Sequence, residues 1–382
     1  MKKMFNYDNV TGLHLELTTK CNAMCPMCNR NFKGKPRDDL PITELTVKDI
    51  KTLLKPDFLE KLKLISVCGV YGEPICDRDL KKILRYIYKC NPNVDIDIYT
   101  NGGLYDEEWW QDLAKIMKKH HGTVIFGIDG VDETHSLHRR NTDFNTVIRN
   151  AKAYINAGGR AGWDFIVFKH NEHQVEAARK MSEELGFATF QVKKTSRFLK
   201  NLYEKDEQLD STILGYGKHP VYDNTGKKIY HIELPENKEY RNNSEDKLLE
   251  LIKEYETIDK YFDSVPIDCG AIKSGGIFLS AQGEVFPCCT VYQQVMYKVI
   301  HGVKDESELN EYKLYTKDNL SAFDKSIKEI VEGEFFKELF KSFGCTSIAT
   351  GKPKSCTRAC GKNLDVHAGG HTTKIKYSGG NK

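Results

Sequence analysis

The chain lacks a membrane-spanning segment: no apolar run approaches the ~20 residues that cross a bilayer as a helix. It also lacks a secretion signal. The start, Met1-Lys2-Lys3-Met4-Phe5-Asn6-Tyr7-Asp8-Asn9-Val10, carries charge but no apolar core. Strong net charge is missing too. A balance of +3 over 382 residues gives no electrostatic reason to expect nucleic acid or an anionic membrane as partner. No internal repeat is visible. With 40% hydrophobic and 29% charged residues, the composition is that of an ordinary globular protein. The length suits about two or three domains, or one α/β barrel plus a smaller unit.

Cysteine is not scarce. Twelve are present, and without a secretion signal they predict a cytoplasmic protein using thiols for metal rather than disulfides. Three lie at 21, 25 and 28, and six at 269, 288, 289, 345, 356 and 360. Cys68, Cys76 and Cys90 stand alone and are expected as buried apolar residues. In Thr18-Thr19-Lys20-Cys21-Asn22-Ala23-Met24-Cys25-Pro26-Met27-Cys28 the spacing is Cys-x3-Cys-x2-Cys. Structural zinc usually closes with four ligands, and no fourth cysteine or histidine follows in the loop. Three thiolates suit a cubane iron–sulfur cluster, which usually takes four, so one iron stays open to a non-protein ligand.

Alternating strands and helices are predicted over 12–194. Strand patterns fall at 12–18, 64–67, 94–100, 123–128, 163–168 and 187–192, with helical patterns at 46–62, 79–88, 106–119, 144–157 and 172–185. Six β/α units with parallel strands and right-handed crossovers follow, and chemistry is expected at the strand C-termini. The cysteine loop falls at that end. Residues 195–262 read as a polar linker or insert, with a hairpin over 219–234 and a helix over 244–261. A flap facing substrate is the alternative role. A second cysteine-bearing module is expected over 263–361, with a hairpin at 276–287 and helix through much of 320–343. A flexible tail is expected over 362–382.

The loop Cys21-x3-Cys25-x2-Cys28 after a first strand resembles the radical S-adenosylmethionine (radical SAM) enzymes. Tyr71-Gly72-Glu73-Pro74, after the second strand, is similar to that family's Gly-Gly-Glu-Pro segment, with Tyr71 in place of the first glycine. Thr100-Asn101-Gly102, Gly127-Ile128-Asp129-Gly130 and Arg139-Arg140 fit the same pattern. The resemblance implies a partial (β/α)6 TIM-like barrel holding one SAM-binding 4Fe–4S cluster. The later cysteines resemble the auxiliary-cluster modules called SPASM and, in the shorter form, Twitch. Their opening pattern matches Cys269, Gly283 and Cys288. Six cysteines fall short of the seven needed for two auxiliary clusters. The resemblance therefore implies one, on Cys269, Cys288, Cys356 and Cys360. Cys289 stands open as an alternative to Cys288, and Cys345 to one of the last pair. Structural zinc stays open in this module.

By the same resemblance, the open iron chelates SAM, and an external one-electron donor such as flavodoxin or ferredoxin drives its cleavage to a 5′-deoxyadenosyl radical. Gly72 and Pro74 would let backbone approach the methionine amino group, with Glu73 fixing the turn. Asn101 is expected at the ribose or methionine, Arg139 or Arg140 at the carboxylate, and Met27 at the adenine. Asp129 is expected at SAM or substrate, with helix capping the competing role. The auxiliary cluster would take an electron from the substrate. A small substrate (sugar, cyclitol or nucleotide-linked) is expected, since the first strand begins near residue 12 and leaves no preceding leader-binding domain. Alternatives are a peptide- or protein-modifying maturase, and a non-enzymic electron carrier.

Overall fold

The structure is a computed structural model and describes residues 5–199, 217–242, 244–301, 310–316, 318–362 and 375–376. Six strands form in chain order: β1 (Gly12–Leu15), β2 (Leu64–Val67), β3 (Asp95–Thr100), β4 (Thr123–Gly127), β5 (Arg160–Ile166) and β6 (Thr189–Lys193). Each is hydrogen-bonded in parallel to the next. Helices return the chain between them, as parallel pairing requires. These are α1 (Val47–Leu53), α2 (Pro56–Glu60), α3 (Leu80–Cys90), α4 (Glu107–Met117), α5 (His135–His138), α6 (Phe144–Asn156) and α7 (Val175–Glu184). The α/β reading with six parallel units is therefore what the chain adopts. Among the described residues the sheet is open, with an edge strand at each end.

Alternation along the strands sorts the two faces. Leu13, Leu15, Ile65, Val67, Ile96 and Ile98 are buried in the main core with the helices. Glu16, Cys68, Tyr99, Asp164 and Lys193 occupy the opposite register. Core pressure explains why the helices sit where they do. On α3, Leu80, Ile83, Leu84 and Ile87 fall at helical spacing on one face, and all are buried.

Several boundaries differ from the sequence expectation for local reasons. The helix expected over 46–62 is two, because Pro56 cannot continue a helix and pushes Lys55 into extended backbone. Thr46 does cap α1 through a reciprocal box with Asp49. The helix expected over 244–261 divides into α8 (Ser244–Tyr255) and α9 (Ile258–Ser264). Glu256 turns left-handed between them, and Thr257 caps the second. The hairpin over 219–234 is present as β7 (Lys218–Tyr222) and β8 (Lys228–Glu233).

The C-terminal module is not a separate layer. After α10 (Gly270–Ser274), strand β9 (Gly276–Leu279) pairs in parallel with β1, Gly12 opposite Gly276 and Leu15 opposite Leu279. Its hairpin partner β10 (Val285–Phe286) forms the sheet's outer edge. Then come α11 (Cys289–His301), α12 (Asn310–Tyr315), α13 (Ile327–Val331), α14 (Glu334–Ser342) and α15 (Lys354–Cys360). Ser326 caps α13 in a box with Glu329, so the helix expected over 320–343 starts late and is interrupted at Gly333. Most of the expected flexible tail lies outside the described residues. Ile375–Lys376, however, forms β11 and pairs antiparallel with Thr189–Phe190 on β6.

Candidate functional site

The cysteine loop leaves the C-terminal end of β1, and its backbone is tied down at several points. Cys28 N–H donates to the Cys25 carbonyl (3.1 Å) and Met24 N–H to the Arg140 carbonyl (2.8 Å). The Asn31 side chain donates to the Cys25 carbonyl at 3.0 Å. Ala23 N–H points at Cys21 Sγ, 3.4 Å away. Burial pushes the Cys21 thiol up, and Glu73, Cys25 and Cys28 push it the same way. Burial pushes Cys25 up to about 11, while the Arg139 guanidinium pulls it down. The three thiols are thus close enough to feel one another, and the cations Arg139 and Arg197 act on Cys25.

The Tyr71–Pro74 turn lies beside this loop. Glu16, fully buried on the register after β1, holds it: one carboxylate oxygen accepts N–H bonds from Val70 (2.7 Å), Tyr71 (2.6 Å) and Gly72 (3.2 Å). Its other oxygen is buried without a partner. Desolvation raises the Glu16 carboxyl to about 7 against the pull of those amides. Gly72 is sterically required, since a Cβ there would fall onto the Thr18 carbonyl oxygen. Glu73 accepts from Asn101 N–H (2.9 Å) and Ile75 N–H (3.4 Å), which joins the turn to the end of β3. Asn101 in turn donates its amide to Asn22 of the cysteine loop at 2.9 Å. Asn101 therefore stands at the site, and its side chain is held by Asn22.

Asp129 and the two arginines separate clearly. Asp129 is fully buried and accepts from His138 Nδ1 (2.7 Å), Arg139 Nε (2.6 Å) and Ile166 N–H (2.8 Å). Burial works against its carboxylate, but Arg139 and His138 win and hold it well below the usual range. It orients Arg139 and caps no helix. Burial works against the Arg139 charge, but Asp129, then Cys25 and Glu73, hold it firmly protonated. Arg140 turns away and donates to the Tyr222 carbonyl of β7. Met27 packs with Phe168, Phe198, Val221 and Ile232 in an apolar cluster under the β7–β8 hairpin. His219 Nε2 meets the Pro26 carbonyl at 3.1 Å, and Arg197 donates to Met27 O. The insert is therefore packed on the cysteine loop.

Beneath these loops, on the polar face of the sheet, Asp164 and Lys193 pair at 3.0 Å. Burial pushes the Cys68 thiol up to about 12, with Glu73 and Glu16 adding to it. Burial, then Asp97, Asp164 and Cys68, raise the Tyr99 hydroxyl. These groups stand on one polar face of the sheet, near enough to influence one another's charge. In the C-terminal module, burial first, then Cys68, pushes the Cys289 thiol up to about 11.

The other late cysteines meet elsewhere. Cys269, Cys288, Cys356 and Cys360 line one small, largely apolar cavity with Ile267 and Phe340. Burial raises Cys356 strongly, with Glu311, Cys288, Cys269 and Cys360 each contributing. Neither Cys289 nor Cys345 lines this cavity. Among the described residues, no three His, Cys, Asp or Glu side chains converge closely enough to hold an ion as placed. What fits iron–sulfur clusters is the donor chemistry: three thiols on one loop in one place, and four thiols around an apolar cavity in another.

Sequence reasoning missed Glu16, Asn22 and His138 as organisers of the site. Glu16 had a faint signal, as a charged residue in the alternating strand Leu13-His14-Leu15-Glu16-Leu17. The other two become informative only once the strand ends are brought together.

Residues 15–181 match the family model of the Radical SAM superfamily. Among curated proteins, the chain is similar to the GTP 3′,8-cyclase of Sulfurimonas denitrificans, 29% identical over 102 residues, 26% of this chain and 30% of that protein. It is also similar to the FeMo cofactor biosynthesis protein NifB of Methanocaldococcus jannaschii, 24% identical over 131 residues, 33% of this chain and 42% of that protein. These matches span well under half the length of either relative. Among solved structures, Streptococcus suis SuiB bound to S-adenosylmethionine aligns at TM-score 0.52 and 14% identity, over 90% of this chain and 72% of that one. The enzyme anSMEcpe with bound AdoMet aligns at TM-score 0.53 and 17% identity, over 94% and 90%. At such identities the likeness is one of fold.

Proposed function

From a chain that carries a radical SAM domain over residues 15–181, we propose an enzyme that cleaves S-adenosylmethionine reductively and abstracts hydrogen from a small polar molecule. The observation that carries this is the juxtaposition at the strand ends. Cys21, Cys25 and Cys28 share one loop, Arg139 lies near enough to act on Cys25, and Glu16 and Glu73 hold the Tyr71–Pro74 turn beside them. When bound, the cluster and SAM supply the electron transfer and the 5′-deoxyadenosyl radical.

The protein's part is binding and orientation. Cys21, Cys25 and Cys28 would hold the first cluster. Arg139, its Nε engaged by Asp129, keeps the rest of its fork to bind the SAM carboxylate. The backbone of Gly72 and Pro74 would meet the methionine amino group, with Glu73 fixing the turn from behind. Asn101 would take the ribose or methionine, its amide oriented by Asn22. The hairpin over Met27 excludes water from one side of the loop. Cys269, Cys288, Cys356 and Cys360 would hold an auxiliary cluster able to accept the substrate's electron, with Cys289 left outside that set.

The polar face of the sheet supports a small substrate. Asp164, Lys193 and Tyr99 offer donors and acceptors there, side chains able to orient a compact polar ligand. The name of the curated GTP cyclase points to small-molecule chemistry as well. The same reading places the enzyme in the cytoplasm with a soluble one-electron donor. Among the described residues, no helix is long and apolar enough to cross a membrane.

The test is anaerobic reconstitution followed by SAM and dithionite. Iron should reach about eight per chain for two four-iron clusters, and 5′-deoxyadenosine should form. Cys25→Ala should abolish that product. Fully loaded wild type that forms none would refute the enzymatic reading. A panel of small polyols, nucleotides and basic peptides, scored by accelerated 5′-deoxyadenosine release, separates the small-molecule reading from a peptide substrate.

A further inference from the structure

We infer that Tyr71 is a positioning residue that couples the SAM-binding turn to the C-terminal module by its ring contact with Tyr292. The inference rests on the proposal that the Tyr71–Pro74 turn binds SAM. It adds that SAM affinity depends on a residue of the module which does not touch the turn's backbone.

Tyr71 occupies the place where the related motif has glycine. Its neighbours leave the turn little freedom of its own. A Cβ on Gly69 would fall onto the Gly72 carbonyl, and one on Gly72 onto that of Thr18, so these two positions hold backbone against backbone. The Tyr71 backbone N–H is bound by Glu16, while its side chain leaves the turn and is only 5% exposed. The ring meets Tyr292 edge to face, with centroids 5.9 Å apart and planes at 71°. Aromatic pairs prefer this geometry.

Tyr292 is held just as firmly on its own side. It is fully buried on α11, one helical turn beyond Cys288, and its N–H donates to the Cys288 carbonyl at 3.2 Å. Its ring packs on Phe278 of β9 (4.8 Å) and Phe286 of β10 (5.3 Å), and its hydroxyl donates to Gln282 Oε1 at 2.9 Å. A short path therefore runs from Cys288 through Tyr292 and Tyr71 to Gly72. A glycine in place of Tyr71 would end it. Because both ends are packed, movement of the module and movement of the turn are one equilibrium. Coupling of this kind is reciprocal.

The experiment titrates the reconstituted full chain with SAM under anaerobic conditions. Y292L fills the space without a ring and should weaken SAM binding about five- to tenfold, the size of one lost aromatic pair. Y71G should weaken it at least as much, although glycine is the residue of the related motif. Y71F and Y292F keep the rings and should bind as wild type does. The Y71L/Y292L double variant should be no weaker than the worse single one, the non-additivity expected of a direct pair. Amide hydrogen exchange gives a second readout: SAM should slow exchange in residues 289–301 of wild type but not of Y71L. Wild-type affinity in Y292L, or additive losses in the double variant, would overturn the coupling. Wild type that binds no SAM would instead refute the underlying site. An iron count near four per chain would remove the auxiliary cluster and leave this test intact.

Discussion

Glu16 offers the sharpest test of how the site is built. Its single carboxylate oxygen accepts three backbone N–H groups at 2.7, 2.6 and 3.2 Å, all from the segment that carries the Tyr71–Pro74 turn. Glu16→Ala leaves those donors without a partner in a buried setting. Each orphaned donor costs about 1–3 kcal/mol, and loss of the desolvated carboxyl offsets part of the sum. A net loss of ~4 kcal/mol follows. For 382 residues the unfolding entropy is about 0.8 kcal/mol/K, so the melting temperature should fall by ~5 °C. Glu16→Gln keeps a carbonyl acceptor at the same place and should fall by less than ~2 °C. Anaerobic calorimetry of the reconstituted chain measures both, and a SAM titration should show Ala weakened far more than Gln. If Ala melts with wild type, or Gln falls as far as Ala, Glu16 does not hold the turn through its oxygen.

Four further outcomes are expected. Because the Glu16 carboxyl is raised from 4.5 to about 7 by burial, the folded state binds the proton more tightly. Its contribution is full below the unfolded value and fades as pH rises through 7, by ~3 kcal/mol in all; chemical unfolding from pH 5 to 8 should show this slope in wild type and a flatter one in Glu16→Gln. Gly72→Ala must displace the Thr18 carbonyl and should cost more than ~3 kcal/mol and abolish SAM binding by titration, whereas Gly226→Ala, at an exposed turn, should leave SAM binding intact. Asp129→Asn leaves Arg139 without its buried counter-charge; a loss of ~3 kcal/mol in unfolding experiments and weaker SAM binding are expected. Iron analysis should show that Cys289→Ser and Cys345→Ser retain the wild-type content while Cys288→Ser and Cys356→Ser lose about half of it; equal loss in all four would break the assignment to one cavity.

The parallel six-unit sheet was legible from the chain because its signals are local. Strand alternation, helical spacing and caps such as Thr46 with Asp49 each act within a few residues. Breaks were less legible. Glu256 carries a left-handed backbone that nothing in its own side chain announces. Placement at the strand ends was legible as well, since a loop that follows a parallel strand must lie there.

The three-cysteine spacing alone put three thiols on one loop, a pattern suited to a cluster with an open iron. Tertiary structure decided everything that depends on residues far apart in the chain. It sends Arg139 to the site and Arg140 to the hairpin, adjacent residues whose chemistry is identical and whose neighbours are not. It gathers Cys269, Cys288, Cys356 and Cys360 around one cavity and leaves Cys289 out of it, though Cys288 and Cys289 are consecutive. It pairs β9 with β1, which brings Tyr292 against Tyr71 across more than two hundred residues of chain. Side-chain type sets what a residue can do; long-range packing sets which partner it meets, and no local pattern encodes that choice.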